Sequence, residues 1–234
     1  MKPGTPENPR LPPGQYEVAI FPRFGLSKFA RRFPESPSRS EVRIAGDVEE
    51  EVVVDPLDAL PRVEQISDFH CVTTWTHRAL RWSGVRFSVF YENVVLPQAR
   101  PLAGATFAIA RGQDGARTIF RLEDLLAPDV LIADTLEGSA LTVEHGAPLR
   151  LVAPAQYGYK SVKHLSSIEF CRDESGFRPS AFRFMDHLRA RVAFEERGRG
   201  APGWLLRLLY RPLVGPTVAR FARAMKMHSK GTGR

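Results

Sequence analysis

The sequence predicts an α+β domain built on a mixed sheet, followed by a C-terminal helical extension. Three observations predict it. Short apolar and alternating runs recur between turn residues from Glu41 to Cys171, as strands do. Only short helix-like pieces separate them, so the long βαβ alternation of a doubly wound parallel sheet is missing. After Arg172 the chain turns basic and amphipathic. The expected division is 12–172 for the sheet domain and 173–234 for the extension.

The elements follow in order. Residues 1–15 read as an irregular arm, because Pro3, Pro6, Pro9, Pro12 and Pro13 forbid helix and ladder pairing. Tyr16 to Phe33 mixes apolar and basic residues around a turn at Pro22 and Gly25. It is either a surface loop or a segment that carries Arg23 into a pocket. Residues 34–40 form a Pro/Ser linker. Glu41 to Val54 predicts two short strands around Gly46 and Asp47. Asp55 to Leu60 predicts a short helix with Asp55 as cap and Pro56 at its first position. Val63 to Val72 predicts a strand that delivers Cys71 into a turn. Trp75 and Trp82 follow, with a tight turn expected at Gly84 and a short helix or strand over Val85 to Val94. Strands are predicted at Thr106–Arg111, Arg117–Arg121, Asp129–Asp134, Leu149–Ala153 and Ser161–Cys171, with a turn at Gln113 to Gly115 and a helical turn at Leu122–Leu126. Phe182 to Arg197 predicts a helix. Trp204–Leu213 and Thr217–Lys226 predict two more, broken at Pro212 to Pro216.

The net charge of +7 comes from 33 basic and 26 acidic residues. Nine of the basic ones lie from Arg197 onward, where there are no acidic residues, so the body stands at −2. A nucleic-acid enzyme would carry its basic footprint on the body, interleaved with stacking aromatics, so nucleic acid is not an expected partner. Two cysteines make no disulfide framework and suit a reducing compartment. No stretch reaches the roughly 20 apolar residues of a membrane span. The N-terminus has no secretory pattern, and Arg31-Arg32 lacks the apolar run of a twin-arginine signal. A cytoplasmic location is expected, with membrane association through the C-terminal helices as an addition.

Two stretches could carry chemistry. Cys71 sits in Asp68-Phe-His-Cys-Val-Thr-Thr-Trp75. A buried cysteine is most often an apolar packer. As a nucleophile it would need a base, with His70, His77 and His145 in the chain but at no telling spacing. As a metal ligand it would need other ligands from an organic cofactor, since no CxxC or Cys/His spacing is present. The second stretch, His145 to Lys163, gathers His145, Arg150, Lys160 and Lys163 around Gly146, Pro148, Pro154 and Gly158. Arg150 and Lys163 suit a phosphate, and the N–H groups of Ser161 and Val162 would add donors. The same residues would also suit a solvated basic strand edge. Cys171, His164 and His187 read as structural.

DFHCVTTW…RWSGV, followed by EHGAPLRLVAPAQYGYKSVKHLSSIEF, resembles the molybdopterin-binding domain of the sulfite oxidase family. It is most similar to short bacterial members without haem or a C-terminal dimerisation domain, from about Pro12 to Phe170. The resemblance implies an oxidoreductase with one molybdopterin and one molybdenum. It implies Cys71 as the protein's metal ligand, His145 and Arg150 on the pterin and its phosphate, and Ser161, Val162 and Lys163 as the next cofactor contacts. Arg23, Phe24 and Gly25 fall in the family's first cofactor loop, Arg23 where sulfite oxidases face metal and substrate, and Asp114 falls near a pterin contact. Two departures turn the expectation away from sulfite itself. No tyrosine after Lys163 matches the one beside the metal, and Val-Thr-Thr-Trp replaces the Gly-Asn-Arg-Arg type of run after the cysteine. The expected reaction is two-electron oxygen-atom transfer on a small sulfite-, sulfoxide- or N-oxide-like substrate, with Cys71 and Arg23 catalytic and an external electron-transfer partner, a membrane-bound one being an option. A non-catalytic molybdopterin-binding protein is the alternative, and a cysteine hydrolase is a third reading. The basic tail is expected to pack its apolar side on the body. Peripheral membrane contact or partner docking through 204–226 is the alternative there.

Overall fold

A computed structural model of the chain describes residues 10–34 and 40–232. The first three prolines of the arm and most of the Pro/Ser linker lie outside the described residues. The elements are β1 (Tyr16–Glu17), β2 (Val42–Gly46), β3 (Val52–Val54), β4 (Val63–His70), β5 (Trp75–Arg86), α1 (Phe87–Phe90) continuing into a π-wound segment (Tyr91–Ala99), β6 (Phe107–Gly112), β7 (Arg117–Arg121), α2 (Leu122–Leu125), β8 (Leu131–Leu136), β9 (Ser139–Ala140), β10 (Arg150–Val152), β11 (Leu165–Cys171), α3 (Gly203–Tyr210) and α4 (Val214–Thr232).

The strands divide between two mixed sheets rather than one. The first runs β1-β5-β8-β10, with β4 also on β5 and β9 also on β8. In it β1 lies parallel to β5 and the other pairs are antiparallel. The second runs β3-β2-β11-β6-β7, with β11 parallel to β2 and antiparallel to β6. Period-2 alternation explains how one core serves both. Ala108 and Ala110 of β6, Ile44 of β2, and Ile168 and Phe170 of β11 face the same cluster as Val85 of β5, Ile132 of β8 and Leu151 of β10. Phe87 and Phe90 of α1 enter that cluster as well.

Several expectations fail for identifiable reasons. Gly84 makes no turn and lies inside the 12-residue β5, at a register shift against β8. A Cβ there would stand 2.1 Å from the Ile132 carbonyl oxygen, so the glycine serves a close strand approach. The helix after β5 widens because Pro97 has no N–H for the turn beneath it. The Arg100 N–H, with Arg100 left-handed at φ 51°, closes back to the Val95 carbonyl at 3.1 Å. Asp55 caps only a turn, accepting the Leu57 N–H at 2.9 Å. Phe182 to Arg197 is not a helix. It holds two single 3-10 turns, Arg183–Met185 and Val192–Phe194. Arg189 reaches outside the segment to Asp124, and Arg191 pairs within it to Glu196. The break at Pro212 to Pro216 shrinks to one 3-10 turn, since Pro216 falls in the first turn of α4, where its missing N–H costs nothing.

The extension packs on the body, as its amphipathic pattern implies. Leu206 and Tyr210 of α3 are buried, and Phe221 and Ala224 of α4 close on Phe29 and Ala30.

Gly84→Ala is expected to destabilise the fold by about 1–3 kcal/mol, because its new methyl meets backbone that cannot rotate away. Denaturant midpoints of wild type and variant check this; an unchanged midpoint would mean that β5 and β8 separate freely there.

Candidate functional site

Cys71 stands at the first residue after β4, where the chain reverses into β5. Its N–H donates to the Trp75 carbonyl at 2.8 Å, and the Thr74 N–H returns to the Cys71 carbonyl at 3.1 Å. Thr74 takes φ 91°, rare for a β-branched residue, so the turn is held by its surroundings. Two residues that sequence reading passed over hold it. Gln15 donates from Nε2 to the Cys71 carbonyl at 3.1 Å. Arg197, fully buried, donates to the Val72 carbonyl at 2.6 Å and to the Pro13 carbonyl at 3.0 Å, and its Nε meets Glu195 at 3.2 Å. In the sequence Arg197 reads as the first of nine tail charges, and no local pattern marks it as a clamp.

Burial pushes the Cys71 thiol up to about 11, against hydrogen bonds from Thr73 and the charges of Arg197 and Lys163. Its Sγ meets Thr73 Oγ1 at 3.1 Å. The nearest histidine in sequence, His70, spends Nδ1 on Thr76 Oγ1 at 2.8 Å. A neutral buried thiol without a base is poorly set as a nucleophile, whereas a bound metal cation would convert it to thiolate. Among the described residues no group of three or more His, Cys, Asp or Glu side chains converges as a metal site, so a metal on Cys71 draws its other ligands from a cofactor.

The second stretch is buried rather than a solvated edge. Arg150, on β10, is fully buried and bonds the His145 carbonyl at 2.9 Å and the Ser161 carbonyl at 3.3 Å. Its guanidinium lies 4.8 Å from the Trp82 ring and 5.5 Å from that of Phe69. Burial lowers its pKa to about 9. His145 stacks on Phe21 at 5.0 Å with its Nδ1 unpartnered among the described residues; burial, then Lys163 and Arg150, lowers its pKa to about 4, so the ring is neutral. Lys160 does not join a phosphate set: its ammonium bonds the Ile119 carbonyl at 2.5 Å and the Leu188 carbonyl at 2.8 Å. The N–H groups of Ser161 and Val162, expected as phosphate donors, close the loop's own turns on the carbonyls of Gly158 and Lys160. Among the described residues the Lys163 ammonium bonds only the Glu144 carbonyl, at 2.9 Å. Burial, with help from Arg150 and Arg23, lowers it to about 7.

These stretches meet at one cavity of about 270 Å³. Arg23, Phe24, Gly25, Cys71, Asp114, Ser161, Val162 and Lys163 line it, while His145 and Arg150 stand outside its lining. Arg23 is turned from the role expected of it. Its guanidinium donates to the carbonyls of Ala30 and Arg32 at 2.7 Å and of Phe29 at 3.3 Å, between the rings of Phe33 and Phe221. Asp114 likewise serves its own turn, accepting the Ala116 N–H at 2.9 Å. The extension completes the wall with Tyr210, Leu213 and Phe221, and the preceding loop adds Met185. At this wall Trp75 Nε1 and Tyr210 Oη are buried without a hydrogen-bond partner among the described residues. Unmet donors beside a cavity point to a ligand that meets them.

A family model described as the oxidoreductase molybdopterin binding domain matches residues 30–177. A Bacillus subtilis (strain 168) protein named uncharacterized oxidoreductase YuiH is 31% identical over 166 residues, covering 70% of this chain and 80% of that one. The protein-methionine-sulfoxide reductase catalytic subunit MsrP of Campylobacter jejuni is 27% identical over 177 residues, 65% of this chain and 58% of its own length. This chain therefore spans little more than half of that reductase. Among solved structures, the sulfane dehydrogenase SoxCD of Paracoccus pantotrophus matches in fold at a TM-score of 0.51 and 24% identity, over 60% of this chain and 40% of that one.

The depressed Lys163 yields a signed pH dependence. From pH about 7 up to its ordinary value of 10.5, the unfolded chain holds a proton that the folded chain has released. The stability of the cofactor-free protein should therefore rise with pH across that window relative to Lys163→Met. Urea midpoints of both proteins against pH check this, and parallel profiles would place the ammonium in water.

Proposed function

The chain belongs to the molybdopterin-binding oxidoreductases of the sulfite oxidase type, and from that premise we propose that it transfers an oxygen atom to or from a small neutral substrate of the sulfoxide or N-oxide class. The family's cofactor is molybdopterin carrying molybdenum. The residues present fit that group: a buried thiol on the cavity wall, a Lys163 ammonium without a carboxylate ion-pair partner among the described residues, and the unmet donors of Trp75 and Tyr210.

Cys71 would hold the metal and would give up its proton on binding it, because only the thiolate is a ligand. Lys163 would face the cofactor's phosphate, and the anion would restore the ammonium form that burial disfavours. Ser161 and Val162 would pack against the pterin through side chains, their N–H groups being used. Arg150 and His145 would act from behind, Arg150 by holding the two loops in register. When bound, the molybdenum centre supplies a two-electron oxygen-atom-transfer couple. Its electrons would be exchanged with an external electron-transfer partner.

The observation that carries the substrate class is the state of Arg23. Its guanidinium is spent on three backbone carbonyls, and Phe24, Trp75, Met185, Leu213 and Phe221 give the cavity an apolar lining. With Arg23 spent, the cations left on the lining are Lys163, which would face the cofactor phosphate, and Arg117, and an oxyanion such as sulfite would need one of them where it reacts. A neutral sulfoxide would not, and a relative carries the name of a methionine-sulfoxide reductase.

Two measurements test this. Molybdenum content and pterin fluorescence on wild type and Cys71→Ser should show cofactor in the wild type, with metal lost or its absorption changed in the variant. Dye-donor reduction of dimethyl sulfoxide and trimethylamine N-oxide should then proceed in the wild type and fall at least ~100-fold in Cys71→Ser. Efficient sulfite oxidation with no sulfoxide or N-oxide turnover would overturn the substrate class.

A further inference from the structure

Helix α3 is apolar on both sides. Leu206 and Tyr210 are buried in the body, yet Trp204, Leu208 and Leu209 remain 54%, 60% and 59% exposed, and Leu213 just beyond is 52% exposed. A helix that only packs on a domain turns polar residues outward. Beside this ridge, a groove of about 800 Å³ runs between residues 27–31 and α4, lined by Lys28, Arg31, Arg220 and Arg223 and by no acidic residue. Among the described residues none of these four cations has an ion-pair partner. Leu213 and Thr217 line both this groove and the Cys71 cavity, so the two openings share a wall.

We propose that the α3 ridge and the basic groove of α4 together form a docking surface for an anionic lipid bilayer, which sets the mouth of the redox cavity at the membrane. Charge complementarity selects the occupant. Four unpaired cations flank a Trp/Leu ridge, so leucines can enter the acyl boundary while lysine and arginines stay with the lipid phosphates. A fluid anionic surface meets such cations wherever they stand, whereas a protein partner would need a fixed carboxylate for each. No helix of the described residues is long and apolar enough to cross a membrane, so contact of this kind would be peripheral.

The test is flotation of the full-length, cofactor-loaded protein with vesicles of phosphatidylcholine alone or mixed with phosphatidylglycerol. Binding is expected only with the anionic lipid and should weaken as salt rises. Arg220→Gln with Arg223→Gln should weaken it about 30-fold, at about 1 kcal/mol for each cation. Leu208→Ser with Leu209→Ser should weaken it more than ~10-fold. All four residues are exposed, and unchanged cofactor absorption confirms that the variants fold. No binding of wild type to either vesicle would overturn the proposal, as would full binding by both double variants. A dimer that the leucine variant dissolves, without lipid binding, would assign the ridge to a second copy and also overturn it. None of these outcomes depends on which substrate the site turns over.

Discussion

A buried guanidinium without an ion-pair partner among the described residues holds the site together. Arg150 reaches the carbonyl of His145 on one side and of Ser161 on the other, and so ties the loop before β10 to the loop before β11. Its charge is met by backbone dipoles and by the faces of Trp82 and Phe69 rather than by a carboxylate. Arginine suits this because its planar fork can serve two carbonyls while its faces stack on rings. An apolar residue would lose both carbonyl bonds, and a lysine could keep only a point charge. The wall that carries Ser161, Val162 and Lys163 therefore depends on a residue that does not line the cavity.

A second constraint runs between the two ends of the chain. The turn that presents Cys71 is clamped by Gln15 from the N-terminal side and Arg197 from the C-terminal side. The cavity opposite is walled by Tyr210, Leu213 and Phe221, beyond the last family-matched residue, 177. The extension is thus part of the site as well as a cover for the body. The environment of the thiol is built from segments far from it on both sides in sequence.

Charge is divided in a way that composition alone hides. Inside, burial lowers the pKa values of Lys163, Arg150 and His145, and an anion bound beside these groups would raise them again. Outside, the α4 cations stay in water. Some tail charges have structural posts: Arg199 pairs with Glu174 and Arg207 with Glu195. The net +7 therefore mixes clamps with a surface.

The sequence by itself determined the mixed α+β character, the strands, the helical tail and the two stretches that meet at the cavity. Local periodicity writes strands and helices, and a cysteine followed at a distance by a Gly/Pro-shaped basic run is legible as a pattern. Which cations are free was not legible. Arg23, Lys160 and Lys163 look alike on the page, yet Arg23 is held by three carbonyls, Lys160 by two, and Lys163, on the cavity lining, by one. Gly84 looked like a turn because its need, a carbonyl across β8, lies 48 residues away in Ile132. The stretch Phe182 to Arg197 looked helical by local preference, yet it folds as single turns with Arg189 paired to Asp124 of α2. Tertiary structure decided those points, since a hydrogen bond or a close approach is set by what arrives from elsewhere in the chain, and sequence spacing does not encode that arrival.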